Sequence, residues 1–233
     1  EIPLRLVGSE MCIRDRFSED NVVAKFNHNK SQWGLFYNLS ARNFKKTYTD
    51  IDETYVLENK TIHRVQEGLH DQNKHFTHNI DLSYNLTEQD KYVFNVVFRN
   101  SVYDAPCLNQ SNKLYDAADA DNYIFSRLKN KQSSYTPSLD LYYQRTLPKN
   151  QMLTMSVTGT LMHTDNNRLY HEYTPQAEDL AMIETDVTGN KRSIIGEAIY
   201  DKRFKFLVFS AGLRHYQMYA RNEYAGSSPV VSE

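Results

Sequence analysis

The sequence predicts an all-β fold of antiparallel strands, on three observations. From about Asn21 onward, segments of roughly 10 to 15 residues alternate apolar and polar side chains, which is the period of a β-strand. Short polar turns and long polar connections follow one another in regular alternation along the chain. No segment of comparable length repeats every 3.6 residues, so no helical domain is predicted.

The clearest hairpin spans residues 76–103. In FTHNIDLSYNL (76–86), residues of one parity are apolar apart from His78, and residues of the other parity are polar. The polar run TEQD at 87–90 predicts a tight turn, and the segment 91–103 repeats the alternation. Three more hairpins are predicted, with turns near residues 29–31, 148–150 and 202–203. Together these hairpins predict about eight strands.

Long polar connections separate the hairpins, at residues 42–75, 104–134 and 165–190. Short turns on one side and long connections on the other are typical of an outer-membrane β-barrel. The chain must cross the barrel wall an even number of times between the ascending strand at Trp33 and the end of the descending strand at residue 86. Residues 54–66 and 75–86 are therefore predicted to form one descending strand, bulged near Gly68. A transmembrane barrel is therefore expected, with a tyrosine-rich soluble sandwich as the competing interpretation.

Charged and aromatic side chains favour the barrel over the sandwich. An Arg or Lys facing lipid at mid-bilayer costs about 2–4 kcal/mol, so charges should face the lumen. Five charged residues have the parity opposite to the apolar face and are predicted to face the lumen: Arg42, Asp81, Arg99, Asp140 and Arg214. Glu197 is placed there by this requirement alone. Aromatic residues flank all four short turns, as an interfacial girdle requires: Trp33, Tyr84, Tyr92, Tyr143 and Tyr200.

Composition sets wider limits on function. The 233 residues carry a net charge of −2 with a pI near 6.5, so no electrostatic feature points to nucleic acid. No apolar run reaches the ~18–20 residues of a membrane helix. The mean hydropathy of −0.67 does not distinguish a membrane barrel from a soluble protein, because barrel strands alternate lipid-facing and lumen-facing residues. Cys12 and Cys107 show no metal-site or redox spacing.

The first 16 residues are expected to be a non-native or disordered leader. The run VGSEMCIRDR at 7–16 resembles the translated read-through of a sequencing-library adaptor, and it does not continue the alternation that follows. Residues 17–233 are then the partial barrel domain, in which Cys107 has no partner.

Three segments carry a resemblance to a known family: DLSYNLTEQDKYVFNVVFRN at 81–100, PSLDLYYQRTLPKNQMLTMSVTGT at 137–160 and KRSIIGEAIYDKRFKF at 191–206. They resemble the barrel domain of TonB-dependent receptor-like outer-membrane proteins, in particular the outer membrane protein β-barrel group. The resemblance covers nearly everything after residue 17 and rests on strand texture.

The resemblance implies an outer-membrane receptor that imports a ligand with TonB energy. Such receptors have barrels of about 22 strands, a plug domain and a segment that contacts TonB. No plug is recognisable here, and the polar GSSPVVSE at 226–233 differs from the terminal aromatic of a finished barrel. The expectation is an internal fragment of about eight strands, forming an open curved sheet in contact with outer-membrane lipid. The alternative is a small closed barrel acting as an adhesin or structural protein.

Candidate sites are few, and neither an enzyme nor a cofactor is predicted. Tyr115, Tyr123 and Phe125 surround an acidic loop and are candidates for stacking on a sugar or aromatic ligand. That loop contains Asp116, Asp119 and Asp121, without the glycine and distal glutamate of a calcium loop. Four histidines at irregular spacing are interpreted as solvated rather than metal-binding: His63, His70, His75 and His78. No nucleophile elbow predicts a hydrolase. The imported substrate is left open.

Overall fold

The computed structural model describes residues 16–57, 60–69, 71–227 and 230–232, and within them the fold is one antiparallel sheet. Its eleven strands are β1 (Arg16–His28), β2 (Ser31–Thr47), β3 (Ile51–Leu57), β4 (Lys60–Gly68), β5 (Asp71–Glu88), β6 (Tyr92–Asp116), β7 (Asp119–Leu147), β8 (Gln151–Tyr173), β9 (Asp179–Arg203), β10 (Val208–Gly226) and β11 (Val230–Ser232). β1 begins at Arg16, and residues 1–15, including Cys12, lie outside the described residues. The all-β antiparallel prediction is confirmed.

The sheet is open. Its main path runs β1-β2-β5-β6-β7-β8-β9-β10-β11, and in the described part of the chain β1 pairs only with β2. β10 pairs with β9 and with the short β11. No ladder in the described part of the chain joins residues 22–26 to residues 208–214, so the sheet does not close into a barrel and the predicted open sheet is confirmed.

The four predicted tight turns are present and share one edge, here called the turn edge. Asn29 has φ 51°, and Lys149 and Asn150 have φ 64° and 54°, the left-handed backbone of tight hairpin turns. The β5–β6 turn follows Glu88, and the β9–β10 turn occupies 204–207, just after the predicted residues 202–203.

The turn edge is oblique to the strands. The last pairs before the four turns are His28↔Ser31, Glu88↔Tyr92, Leu147↔Gln151 and Arg203↔Val208. The register row through Ser31 continues through Leu86, Tyr143 and Ala198. The last paired residues of β5, β7 and β9 lie two, four and five residues beyond this row. Five residues over six strand spacings corresponds to an inclination of about 30°, close to the roughly 35–45° tilt of strands in closed barrels.

Two sequence predictions about the opposite edge are wrong. Residues 104–134 and 165–190 are largely strand, because β6 and β7 continue to a tight turn at 117–118 and β8 and β9 continue to residues 173 and 179. Both faces of these extensions are polar, so the sequence lacks an apolar period there although the backbone ladder continues.

The predicted descending strand is also different. Residues 51–57 and 60–68 form the β3–β4 hairpin, so 54–66 is not one strand. β4 pairs with the far end of β6, and β5 pairs with the rest of it. The descending path is thus interrupted after Leu69, next to the predicted bulge at Gly68.

The sheet is a single layer. All substantial contacts between strands join hydrogen-bonded neighbours. Among the described residues only Ala105 and Leu114 are buried hydrophobic residues. A soluble sandwich buries a core between two sheets, and the described part of the chain has no such core. Among the same residues there is no helix with the length and apolarity needed to cross a membrane.

Candidate functional site

The register divides the side chains of the sheet into an apolar face and a polar face. One row of the apolar face reads Phe26↔Trp33↔Tyr84↔Val96↔Leu141↔Val157↔Gly196↔His215. The neighbouring row of the polar face reads Asn27↔Gln32↔Asn85↔Asn95↔Tyr142↔Ser156↔Glu197↔Arg214. The two faces therefore differ in polarity across all eight long strands.

The apolar face carries a continuous apolar band, consisting of residues of that face within 33–41, 76–86, 94–102, 135–143, 153–161 and 194–200. These segments are seven to eleven residues long, and a transmembrane strand needs about 9–11 residues. None of their apolar-face positions is Asp, Glu, Lys or Arg. From β2 to β9 the band shifts relative to the register rows in the same direction as the turns, so it runs parallel to the oblique turn edge.

Much of the band is exposed. Leu82 is 43% exposed, Leu139 42% and Leu161 50%. Burying apolar surface is worth about 25 cal/mol per Å², and monomeric soluble proteins rarely leave so continuous a patch in water. The band therefore requires a cover, either lipid or another protein layer.

Aromatic rings line the band beside the turn edge. The ring centroids of Trp33 and Tyr84 are 4.4 Å apart, those of Tyr84 and Phe94 6.3 Å, and those of Phe94 and Tyr143 6.5 Å. This chain of contacts crosses β2, β5, β6 and β7. Tyr200 continues the flank on β9, where its hydroxyl donates to Gln151 Oε1 at 2.8 Å. Three residues of the predicted aromatic flank, Trp33, Tyr84 and Tyr143, are thus joined through Phe94 in one row from β2 to β7.

Hydrogen bonds connect the side chains of the polar face from strand to strand. Asn38 Nδ2 donates to Asn21 Oδ1 at 2.8 Å, and Asn79 Nδ2 donates to Asn38 Oδ1 at 3.2 Å. Ser101 Oγ continues the chain by donating to Asn79 Oδ1 at 2.7 Å. These side chains of the polar face are thus hydrogen-bonded to one another within a single layer.

Three of the predicted charged residues form one cluster on the polar face. Arg99 donates to Asp140, and its Nε lies 3.9 Å from Asp81 Oδ2. Arg42 lies on the same face, with its guanidinium carbon 5.5 Å from the centroid of the Phe17 ring. Arg214 is the register partner of Glu197. All five charged residues and Glu197 lie on the polar face of the sheet.

The aromatic candidates lie in the extensions of β6 and β7. Tyr115 is opposite Tyr123, and the rings of Tyr123 and Phe125 are 5.4 Å apart. The Lys113 ammonium lies 4.7 Å from the centroid of the Tyr115 ring and 4.5 Å from that of Tyr123. Tyr173 of β8 adds a ring 5.4 Å from Phe125. The structure therefore brings the predicted trio together.

The sequence did not predict the contributions of Lys113 and Tyr173. The strand register would have revealed them, because Lys113 and Tyr173 are both register partners of Phe125 on adjacent strands. β7 and β8 keep an unbroken register from Phe125 to Leu147, so Phe125 shares the side of Tyr135, Leu139 and the rest of the apolar face. A hydrogen bond from the Tyr115 hydroxyl to Glu67, 2.6 Å long, raises the pKa of that phenol.

The histidines and aspartates are dispersed. His63 contacts Asp52 at 2.5 Å, and His75 and His78 lie on opposite faces of β5. His70 lies outside the described residues. Asp116 is the register partner of Asp119, and its Oδ1 accepts a hydrogen bond from the Ala118 amide. The described residues contain no group of three or more His, Cys, Asp or Glu side chains that could hold a metal ion. Cys107 is a free thiol beside the β6 bulge.

No protein-family model matches the chain, and no curated protein matches it.

Proposed function

We propose that this chain forms part of the wall of an outer-membrane β-barrel, with the apolar face toward lipid and the polar face toward the lumen. The observation that carries the proposal is the oblique apolar band. The band is about as long as a transmembrane strand, it contains no charged residue, and both the band and its aromatic row run parallel to the turn edge. A protein layer covering the band would not require that inclination, whereas a barrel strand tilted in a bilayer does.

The resemblance of residues 81–100, 137–160 and 191–206 extends the proposal to a TonB-dependent receptor that imports a ligand. In that arrangement Asp81, Arg99 and Asp140 contact the plug or line its path. The β6–β9 extensions rise beyond the band, since β7 continues 16 residues past Tyr135, or about 50 Å. They carry the proposed ligand-binding residues Tyr115, Tyr123 and Phe125. The small closed barrel is disfavoured because, in the described part of the chain, β1 and β10 do not pair with each other.

The single tryptophan of the chain tests the membrane proposal. Trp33 is 54% exposed at the turn-edge margin of the band. In lipid vesicles its emission should shift to shorter wavelength, and lipids brominated near the headgroup should quench it more than lipids brominated at the chain end. The matched control moves the probe to the polar face with Trp33→Phe and Ser156→Trp. Quenching of Trp33 by aqueous iodide and not by lipid contradicts the proposal.

The receptor proposal needs a separate test. Peptide mapping of the mature protein from the outer membrane of the producing cell should detect a plug region linked to this barrel wall. A mature protein without such a region contradicts the receptor and leaves the membrane proposal intact.

A further inference from the structure

A hollow interrupts the apolar band between β7, β8 and β9. Its cavity volume is about 600 Å³, within the range of roughly 300–1,000 Å³ of small-molecule sites. The aliphatic and phenyl side chains that line it are Phe98, Pro137, Leu139, Leu161 and Ile194. Gly159 forms its floor, and a Cβ atom added there would meet nothing within 4 Å.

A second glycine lies beside the hollow, on the side of the turn edge. Gly196 is the register partner of Val157, two residues along from the Gly159↔Ile194 pair. A Cβ atom added to Gly196 would also meet nothing within 4 Å. Two neighbouring apolar-face positions without side chains thus leave a groove along the strands, bounded by large aliphatic residues.

A positively charged side chain lies at the end of the hollow that is farther from the turns. Arg192 lines the cavity from β9, two residues beyond Ile194, where the charge-free band ends. Tyr219 of β10 is its register partner and lines the same rim. No carboxylate among the described residues lies within salt-bridge distance of Arg192, which is exposed. At the margin of a bilayer an arginine facing lipid costs only about 0–1 kcal/mol.

We infer that the hollow binds one anionic phospholipid, with its phosphate on Arg192 and an acyl chain along the groove over Gly159 and Gly196. This inference rests on the proposed function, because the ligand comes from the bilayer. Charge complementarity selects the headgroup: a guanidinium binds a phosphate through two parallel hydrogen bonds. The arrangement also fits the orientation of a lipid, with the cation at the band margin and the groove leading toward mid-bilayer.

A lipid-selectivity experiment tests the inference on the full chain in phosphatidylcholine vesicles. The reporter is a tryptophan at Leu141→Trp in a Trp33→Phe background, next to the hollow on the apolar face. Brominated phosphatidylglycerol at a few mole per cent should quench this tryptophan as if the lipid were enriched about fivefold at the hollow, compared with brominated phosphatidylcholine. The expected enrichment follows from the roughly 1 kcal/mol that one basic side chain contributes to binding an anionic lipid. Arg192→Gln should abolish the preference.

Two further variants make the result decisive. Lys191→Gln removes the same charge from the neighbouring residue, which lies on the polar face, and should leave the preference unchanged. Gly159→Leu fills the groove and should reduce the preference although Arg192 remains. Equal effects of the Arg192 and Lys191 variants, or no effect of Gly159→Leu, would overturn the inference. Equal quenching by both lipids also overturns it while the membrane proposal stands, whereas no quenching by either lipid refutes the membrane proposal itself.

Discussion

The sharpest prediction compares two neighbouring residues on opposite faces of β8. Val157 is at the centre of the 153–161 segment of the band and is 39% exposed. Thr158 points to the polar face and is the register partner of Asp140. In the proposed orientation Val157→Arg places a guanidinium at mid-bilayer and should lower the free energy of unfolding by about 2–4 kcal/mol, which corresponds to a roughly 30- to 1,000-fold change in the folding equilibrium. Thr158→Arg should change it by less than about 1 kcal/mol, because the new cation faces a carboxylate.

The assay is reversible guanidinium unfolding from lipid vesicles, followed by the emission of Trp33. Leu153→Arg supplies a depth control, since Leu153 is at the turn-edge end of the same segment and should cost only about 0–1 kcal/mol. Equal damage from Val157→Arg and Thr158→Arg would mean that both faces are buried in protein. Equal damage from Val157→Arg and Leu153→Arg would mean that the apolar face does not cross a bilayer.

Two other predictions concern the turn edge and the open sides of the sheet. Hydrogen bonds from two lysine ammonium groups lower the pKa of Glu88 to about 2 from its ordinary value of 4.5. The stabilisation by Glu88 is therefore present above pH 4.5 and lost as the pH falls toward 2, so the difference in unfolding midpoint between the protein and Glu88→Gln should vanish over that interval. In a cysteine-free background, Ala24→Cys with Leu35→Cys should form a disulfide across β1–β2, whereas Ala24→Cys with Ala211→Cys should not; a β1–β10 disulfide in vesicles would indicate a closed barrel.

The hairpins could be predicted from the sequence because each strand of the band has one apolar face and one polar face. In FTHNIDLSYNL the apolar and polar residues alternate except at His78, which fixes both the strand and the side on which Asp81 lies. The turns could be placed for the same reason, since the alternation stops at each of them.

The extensions could not be predicted in this way. Between Ala105 and Tyr135 only Ala105 and Leu114 are buried hydrophobic residues and apolar residues do not alternate regularly, so the sequence resembles a polar loop, although the ladder with the neighbouring strands continues. Glu197 shows the same limit within the band. Ile194 and Ile195 are equally apolar on opposite faces, and only the register with Ser156 and Arg214 assigns the glutamate to the polar face.

The polar face explains why a single layer can persist with so little buried hydrophobic surface. A sheet with two apolar faces would need two covers, and a sheet with two polar faces would have no hydrophobic driving force. Here one face links polar side chains in hydrogen-bonded chains such as Asn21–Asn38–Asn79–Ser101, so it tolerates water or a polar partner. The other face carries the continuous band and, among the described residues, has no comparable polar network. The asymmetry requires one apolar cover on one side, and a bilayer is the cover that we propose.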